Sequence, residues 1–270
     1  MMNNLAEMFS YSFMVRALVS GILISLVAAL VGVPLVFRKN SMLGDGLSHV
    51  GFGAFALATV FGVAPIPVAI PIVILVSFLI LRLDENSKIR GDSAVALMSV
   101  SALAIGTFIV SFMGVNLNID SYLFGSILAV NSGEVWLAAI FSVIVISIYI
   151  VFHNKIFAIT FDEKFARAIG INTKFYNMLF AILCSVVVVL GMRLMGALLI
   201  SGLIIFPVLS AKILFKKFRS VVIASAIISV VNFIFGFVLS YYFSTPTSAT
   251  IVVVNLLVLT ILGILNKIIR

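Results

Sequence analysis

The chain has little with which to meet water. Only 10% of its 270 residues are charged, against about 25% in an ordinary soluble domain, while 63% are hydrophobic. Mean hydropathy is +1.34. A wet surface is excluded, so lipid must be the solvent. Cysteine is nearly absent too. Cys184 stands alone, which excludes an internal disulfide and any Cys-based metal cluster, and its apolar setting makes it a packing residue. There is no G-x-x-x-x-G-K-[ST] loop to cradle ATP phosphates, no H-E-x-x-H and no G-x-S-x-G. Nor is there a second intramembrane Asp to form a catalytic dyad, so the chain is not expected to be an enzyme. No basic start with a small-residue cleavage site marks a secretory signal, and the first span is expected to be retained. Linkers, low-complexity tracts, internal repeats and soluble domains are all missing. No segment interleaves basic and aromatic residues as a nucleic-acid module does, and nucleic acid is not an expected partner.

What is present is a series of apolar runs. A membrane helix takes about 20 such residues, or about 17 at the short end. Charged or Gly/Pro-marked breaks divide the chain into runs at 13–37, 41–61, 66–81, 93–113, 134–152, 175–192, 194–215, 221–243 and 249–265. The expectation is an all-α, polytopic membrane protein of nine spans, within a range of eight to ten, forming one transmembrane domain over 1–270. The piece 122–130 is too short to cross and reads as a re-entrant or interfacial helix. With the N-terminus outside, Arg38, Lys39, Arg82, Lys88, Arg90, Lys155, Lys164, Arg167, Lys174, Lys212, Lys216, Lys217, Arg219, Lys267 and Arg270 fall on the cytoplasmic side. That is 15 of the 17 basic residues, the others being Arg16 and Arg193. The net charge of +8 therefore faces the anionic inner leaflet.

Eight of the nine acids lie in loops or at span ends. The exception is Asp45, and His49, one of two histidines, follows four residues later in the same run. In a helix that spacing puts both on one face, one turn apart. Ionisable groups at membrane depth are costly and functional by default. Gly44, Gly46, Gly51 and Gly53 surround them, allowing close helix approach. A carboxylate with an imidazole makes an O/N ligand set for a divalent cation. Hydrogen-bonding glue between helices and a proton relay are the alternatives. His153, beside Asn154 and Lys155, reads as an interfacial residue. Arg193 reads as snorkelling to the outer interface, with a gate or counter-ion role as the alternative. Between Phe161 and Ile171, Asp162 and Glu163 begin a short helix and Gly170 ends it, with Phe165, Ala168 and Ile169 on an apolar face. That helix either lies on the bilayer or docks into a partner's groove.

The run Arg38-Lys39-Asn40-Ser41-Met42-Leu43-Gly44-Asp45-Gly46-Leu47-Ser48-His49 resembles the signature of permease subunits of zinc/manganese/iron ABC importers. The similarity continues through Gly91-Asp92-Ser93-Ala94, Leu123 to Val130, Asp162 to Gly170, Gly196 to Ile200 with Pro207, and Leu239-Ser240-Tyr241 with Pro246. Gly46 stands where that family commonly has alanine, and Met42 where it has leucine. The resemblance implies a type-II importer-like permease in the plasma membrane of a bacterium, with a cytoplasmic C-terminus. It implies a homodimer served by two cytoplasmic ATP-binding subunits and an extracytoplasmic metal-binding protein. Asp45 and His49 would be the metal ligands. The segment at about 158–172, with Asp162, Glu163, Phe165, Ala166 and Gly170, would couple to the ATPase. No cofactor is expected to be bound permanently; the metal is cargo, and ATP is used by the partner. An iron-chelate or vitamin permease and a proton-coupled metal carrier are the rival readings.

Overall fold

The computed structural model describes residues 10–86, 91–115, 122, 124–125 and 130–269, and among them it is helical with no strand. The helices are α1 (Ser12–Phe37), α2 (Met42–Val60), α3 (Pro65–Asn86), α4 (Asp92–Phe112), α5 (Ser132–Val151), α6 (His153–Phe161), α7 (Glu163–Ala168), α8 (Thr173–Met195), α9 (Ala197–Leu214), α10 (Phe218–Phe243) and α11 (Thr247–Ile269). The nine long ones fall on the nine apolar runs. Eight of them are long and apolar enough to cross a membrane on their own. The ninth, α2, has the length at 19 residues but carries Asp45, His49 and four glycines.

Two boundaries differ from expectation. Helix α3 runs on to Asn86, because charged residues end an apolar run without ending a helix. The stretch between α5 and α8 holds two short helices, α6 and α7, where one was expected. The expected short helix at 122–130 lies mostly outside the described residues.

Helices α1, α8 and α9 form the centre. Their spanning windows are 78%, 72% and 56% buried, whereas those of α3, α4 and α11 are 22% or less. Small residues let α1 sit there: its Gly32 lies against the backbone of Ile204 on α9, and its Gly21 lies under the ring of Phe233 on α10. Buried polar groups are tied between helices. Ser229 donates to the Ser25 carbonyl at 2.8 Å, and Asn232 donates to Asn255 at 2.9 Å. In a lipid-like interior such bonds fix which faces meet.

Helix α2 packs against α3, α4, α8 and α9. Its seam with α4 is set by Gly53 and Gly106. A Cβ on Gly53 would stand 2.5 Å from the Ala102 carbonyl oxygen, and one on Gly106 would stand 2.8 Å from the Gly53 Cα. Only glycine permits that approach.

The end of the bundle where α5 begins is pinned by charge. Asn131 and Glu134 form a reciprocal N-cap, with Glu134 N donating to Asn131 Oδ1 at 2.9 Å and Asn131 N donating to Glu134 Oε2 at 3.1 Å. The other Glu134 oxygen meets Arg193 Nε at 3.2 Å, with the Glu134 side chain only 11% exposed. Of the two readings of Arg193, snorkelling or a gate or counter-ion role, the pair with Glu134 gives it a counter-ion. Its guanidinium ties the end of α8 to the start of α5.

Candidate functional site

From Leu43 to Ala56 every residue is buried except Asp45 and His49. The glycines, Leu47, Val50 and Phe55 face neighbouring helices, which leaves this one pair open to its surroundings. Their side chains are 45% and 37% exposed, and His49 Nε2 lies 3.7 Å from Asp45 Oδ2. The i, i+4 spacing thus does bring them together. Asp45 occupies the first turn of α2, where the helix dipole favours a carboxylate. Ser48 turns its hydroxyl back onto the Asp45 carbonyl at 2.7 Å, so it does not compete for the carboxylate.

His49 lines a cavity of about 400 Å³, with Phe52 from α2, Val100, Leu103, Ala104 and Thr107 from α4, Tyr122, and Ala197 at the start of α9. The Tyr122 ring stands 5.4 Å from Phe52 and 5.6 Å from Phe55. These wall residues were not singled out from sequence. Phe52 could have been, since it follows His49 by three and shares its face. Tyr122 arrives from a distant segment, so no local pattern reports it. Among the described residues no three His, Cys, Asp or Glu side chains cluster as a cation site. Two ligands from one chain hold a cation only weakly unless other groups complete its shell.

The predicted coupling segment divides into two faces. Asp162 caps α7, accepting from Phe165 N at 2.9 Å. Ala166 is fully buried, and Glu163 turns inward to meet Arg38 at 2.8 Å. Phe165 and Ile169 point outward, 58% and 56% exposed, with Ala168 beside them. Gly170 follows at φ +86°, a conformation that suits glycine, with open space around it. His153 begins α6 and packs its ring 5.6 Å from Phe218. Burial, and secondarily the charge of Arg219, hold its imidazole below the usual histidine range.

Among the described residues, nine long helices, one of them carrying His49 onto a cavity with Asp45 a turn away, define a polytopic membrane protein. Residues 10–266 match the ABC 3 transport family, and the chain belongs to that family. It is similar to the manganese transport system membrane protein MntC of Listeria monocytogenes, with 27% identity over 93% of this chain and 89% of that one. It is similar also to the high-affinity zinc uptake system membrane protein ZnuB of Haemophilus influenzae, with 29% identity over 90% of this chain and 94% of that one. Among solved structures, PsaBC from Streptococcus pneumoniae in complex with Fab matches with a TM-score of 0.85 and 26% identity, over 96% of this chain and 95% of that one.

Proposed function

We propose that this chain is the membrane subunit of an ATP-driven importer that passes a divalent metal ion through the site formed by Asp45 and His49. The observation that carries the reading is that these two groups alone are accessible along fourteen otherwise buried positions of α2. Two ligand atoms bound to one zinc at about 2.0–2.1 Å and a tetrahedral angle lie about 3.3 Å apart. The 3.7 Å separation needs an adjustment of only a few tenths of an ångström. A second copy facing the first supplies two more ligands. Such an O/N set without thiolate binds weakly enough to release its cargo. The relatives' names divide between manganese and zinc. O/N ligands hold zinc more strongly than manganese, so choosing manganese falls to the delivering protein and the cavity.

The mechanism is alternating access. Metal handed over by an extracytoplasmic binding protein enters a cavity open to the outside, and Asp45 and His49 hold it briefly. Closure of two cytoplasmic ATP-binding subunits on α7 then reverses which side is open. In this reading Phe165, Ala168, Ile169 and Gly170 face the ATPase, while Asp162, Glu163 and Ala166 shape and anchor α7.

Uptake by proteoliposomes tests it. With the ATP-binding subunits and binding protein present, the chain takes up Mn²⁺ or Zn²⁺ only with ATP, and His49→Ala abolishes uptake while the complex still assembles. ATP-independent uptake driven by a proton gradient would instead establish a secondary carrier, and normal uptake by His49→Ala would remove the imidazole from the path.

A further inference from the structure

Arg38, Glu163 and Asn177 close a hydrogen-bonded ring at the end of the bundle that carries α7. Arg38 donates through Nη2 to Glu163 Oε2 at 2.8 Å and through Nη1 to Asn177 Oδ1 at 2.9 Å, and Asn177 donates through Nδ2 to Glu163 Oε1 at 3.1 Å. Three helices meet there: α1 at its C-cap, α7 at its first residue and α8 one turn in. The Asn177 amide has one orientation that satisfies both partners, and the guanidinium fork fits both acceptors at once. Asn177 is 8% exposed, and the Arg38 and Glu163 side chains are 20% and 30% exposed, so the ring is sheltered. Arg167, within α7, adds a longer contact to Glu163 at 3.4 Å.

A second observation lies in the corner between α1 and α2. Arg38 N donates to the Pro34 carbonyl at 3.0 Å, Lys39 N to Val36 at 3.3 Å and Asn40 N to Leu35 at 2.9 Å, and Leu43 N then donates to Asn40 at 3.1 Å. Lys39 takes φ +60° to make the turn. Four amides of the corner, those of Arg38, Lys39, Asn40 and Leu43, are bonded back onto neighbouring carbonyls, which stiffens the connection between α1 and α2. Asp45 follows Arg38 by seven positions and His49 by eleven.

We infer that the Arg38–Glu163–Asn177 ring is the joint that carries displacement of α7 into the α1–α2 corner, and through it to Asp45 and His49. The inference rests on reading α7 as the ATPase contact. Arg38 and Glu163 are positioning residues that never touch the cargo. When α7 is pushed, Glu163 drags Arg38, and the stiffened corner tilts the start of α2 without any long-range unfolding.

The test uses the complete complex in proteoliposomes, with its ATP-binding subunits and binding protein, and reads Mn²⁺ delivered per ATP hydrolysed. Arg38→Gln and Glu163→Gln are expected to keep ATP hydrolysis within about twofold of the parent while ions per ATP fall about tenfold. Arg38→Lys keeps the ion pair but loses the second arm of the fork, and retains about a third of the coupling. Equilibrium Mn²⁺ binding to the detergent-purified complex stays unchanged in all three. Should Arg38→Gln fail to assemble, Asn177→Ala opens the same ring and the same ratio is read. Unchanged ions per ATP, or hydrolysis and delivery falling together, would overturn the joint. Phe165→Asp separates the two failures, since it should release the ATP-binding subunits. Their retention would sink the reading of α7 and the joint with it. Their loss alongside fully coupled glutamine variants would sink the joint alone.

Discussion

Replacing Gly53 by alanine probes the seam on which the cavity depends. The added Cβ would lie 2.5 Å from the Ala102 carbonyl oxygen. Relaxed carbon–oxygen contacts fall at about 3.3–3.6 Å, so α2 and α4 must part by about 1 Å or bend. Overpacking of this kind costs about 1–3 kcal/mol, set against a helix-propensity gain of about 1 kcal/mol for replacing glycine. Gly263, on α11, isolates the second effect because nothing lies within 4 Å of its new Cβ. Gly263→Ala should therefore raise stability slightly, and Gly53→Ala should fall below it by about 1–3 kcal/mol. Thermal unfolding of the two variants in detergent gives the comparison. Because α2 and α4 supply facing walls of the cavity, Gly53→Ala should also slow metal uptake, whereas Gly263→Ala should not. Equal stability of the two variants would refute the close approach.

Three further outcomes are expected. Glu134→Gln keeps the N-cap, since glutamine serves in the same box, but discharges Arg193; a double-mutant cycle with Arg193→Gln should show a coupling of about 1 kcal/mol in thermal unfolding. Asn131→Ala removes the cap itself and should cost about 1 kcal/mol in the same assay. His153 should titrate below the ordinary histidine value of 6.5 by NMR of the imidazole proton, and Arg219→Gln should move the midpoint partway back. Its folded pKa is lowered, so the unfolded chain binds the proton first as pH falls. Stability contributed by the neutral ring is thus present above the unfolded pKa and declines as pH drops through 6.5 toward the folded value, a decline that His153→Gln should remove.

Much of this was legible because a membrane helix writes itself locally. Each apolar run had to become one helix, and polar breaks marked the turns. Asp45 and His49 stood out because an acid and an imidazole in such a run have no cheap explanation, and their spacing alone fixed their common face. The caps of α7 were equally local, Asp162 reaching only to Phe165 N. What escaped depends on contacts between distant positions. Glu163 reads as an acid that starts the short helix of the coupling segment, and its partner Arg38, 125 positions away, leaves no local sign. Arg193 reads as snorkelling or as a counter-ion, and its partner goes unnamed because Glu134 lies on another helix. The cavity needed Tyr122 and Ala197 brought against α4, and no pattern along the chain encodes that meeting.

The central claim is that a metal ion in transit touches His49. With only two histidines in the chain, pulsed EPR of Mn²⁺ bound to the purified membrane subunit can assign a nitrogen ligand directly. Imidazole ¹⁴N coupling is expected in the parent and in His153→Gln, and should vanish in His49→Gln. Coupling that survives in His49→Gln, or bound Mn²⁺ that shows none in the parent, would contradict the account.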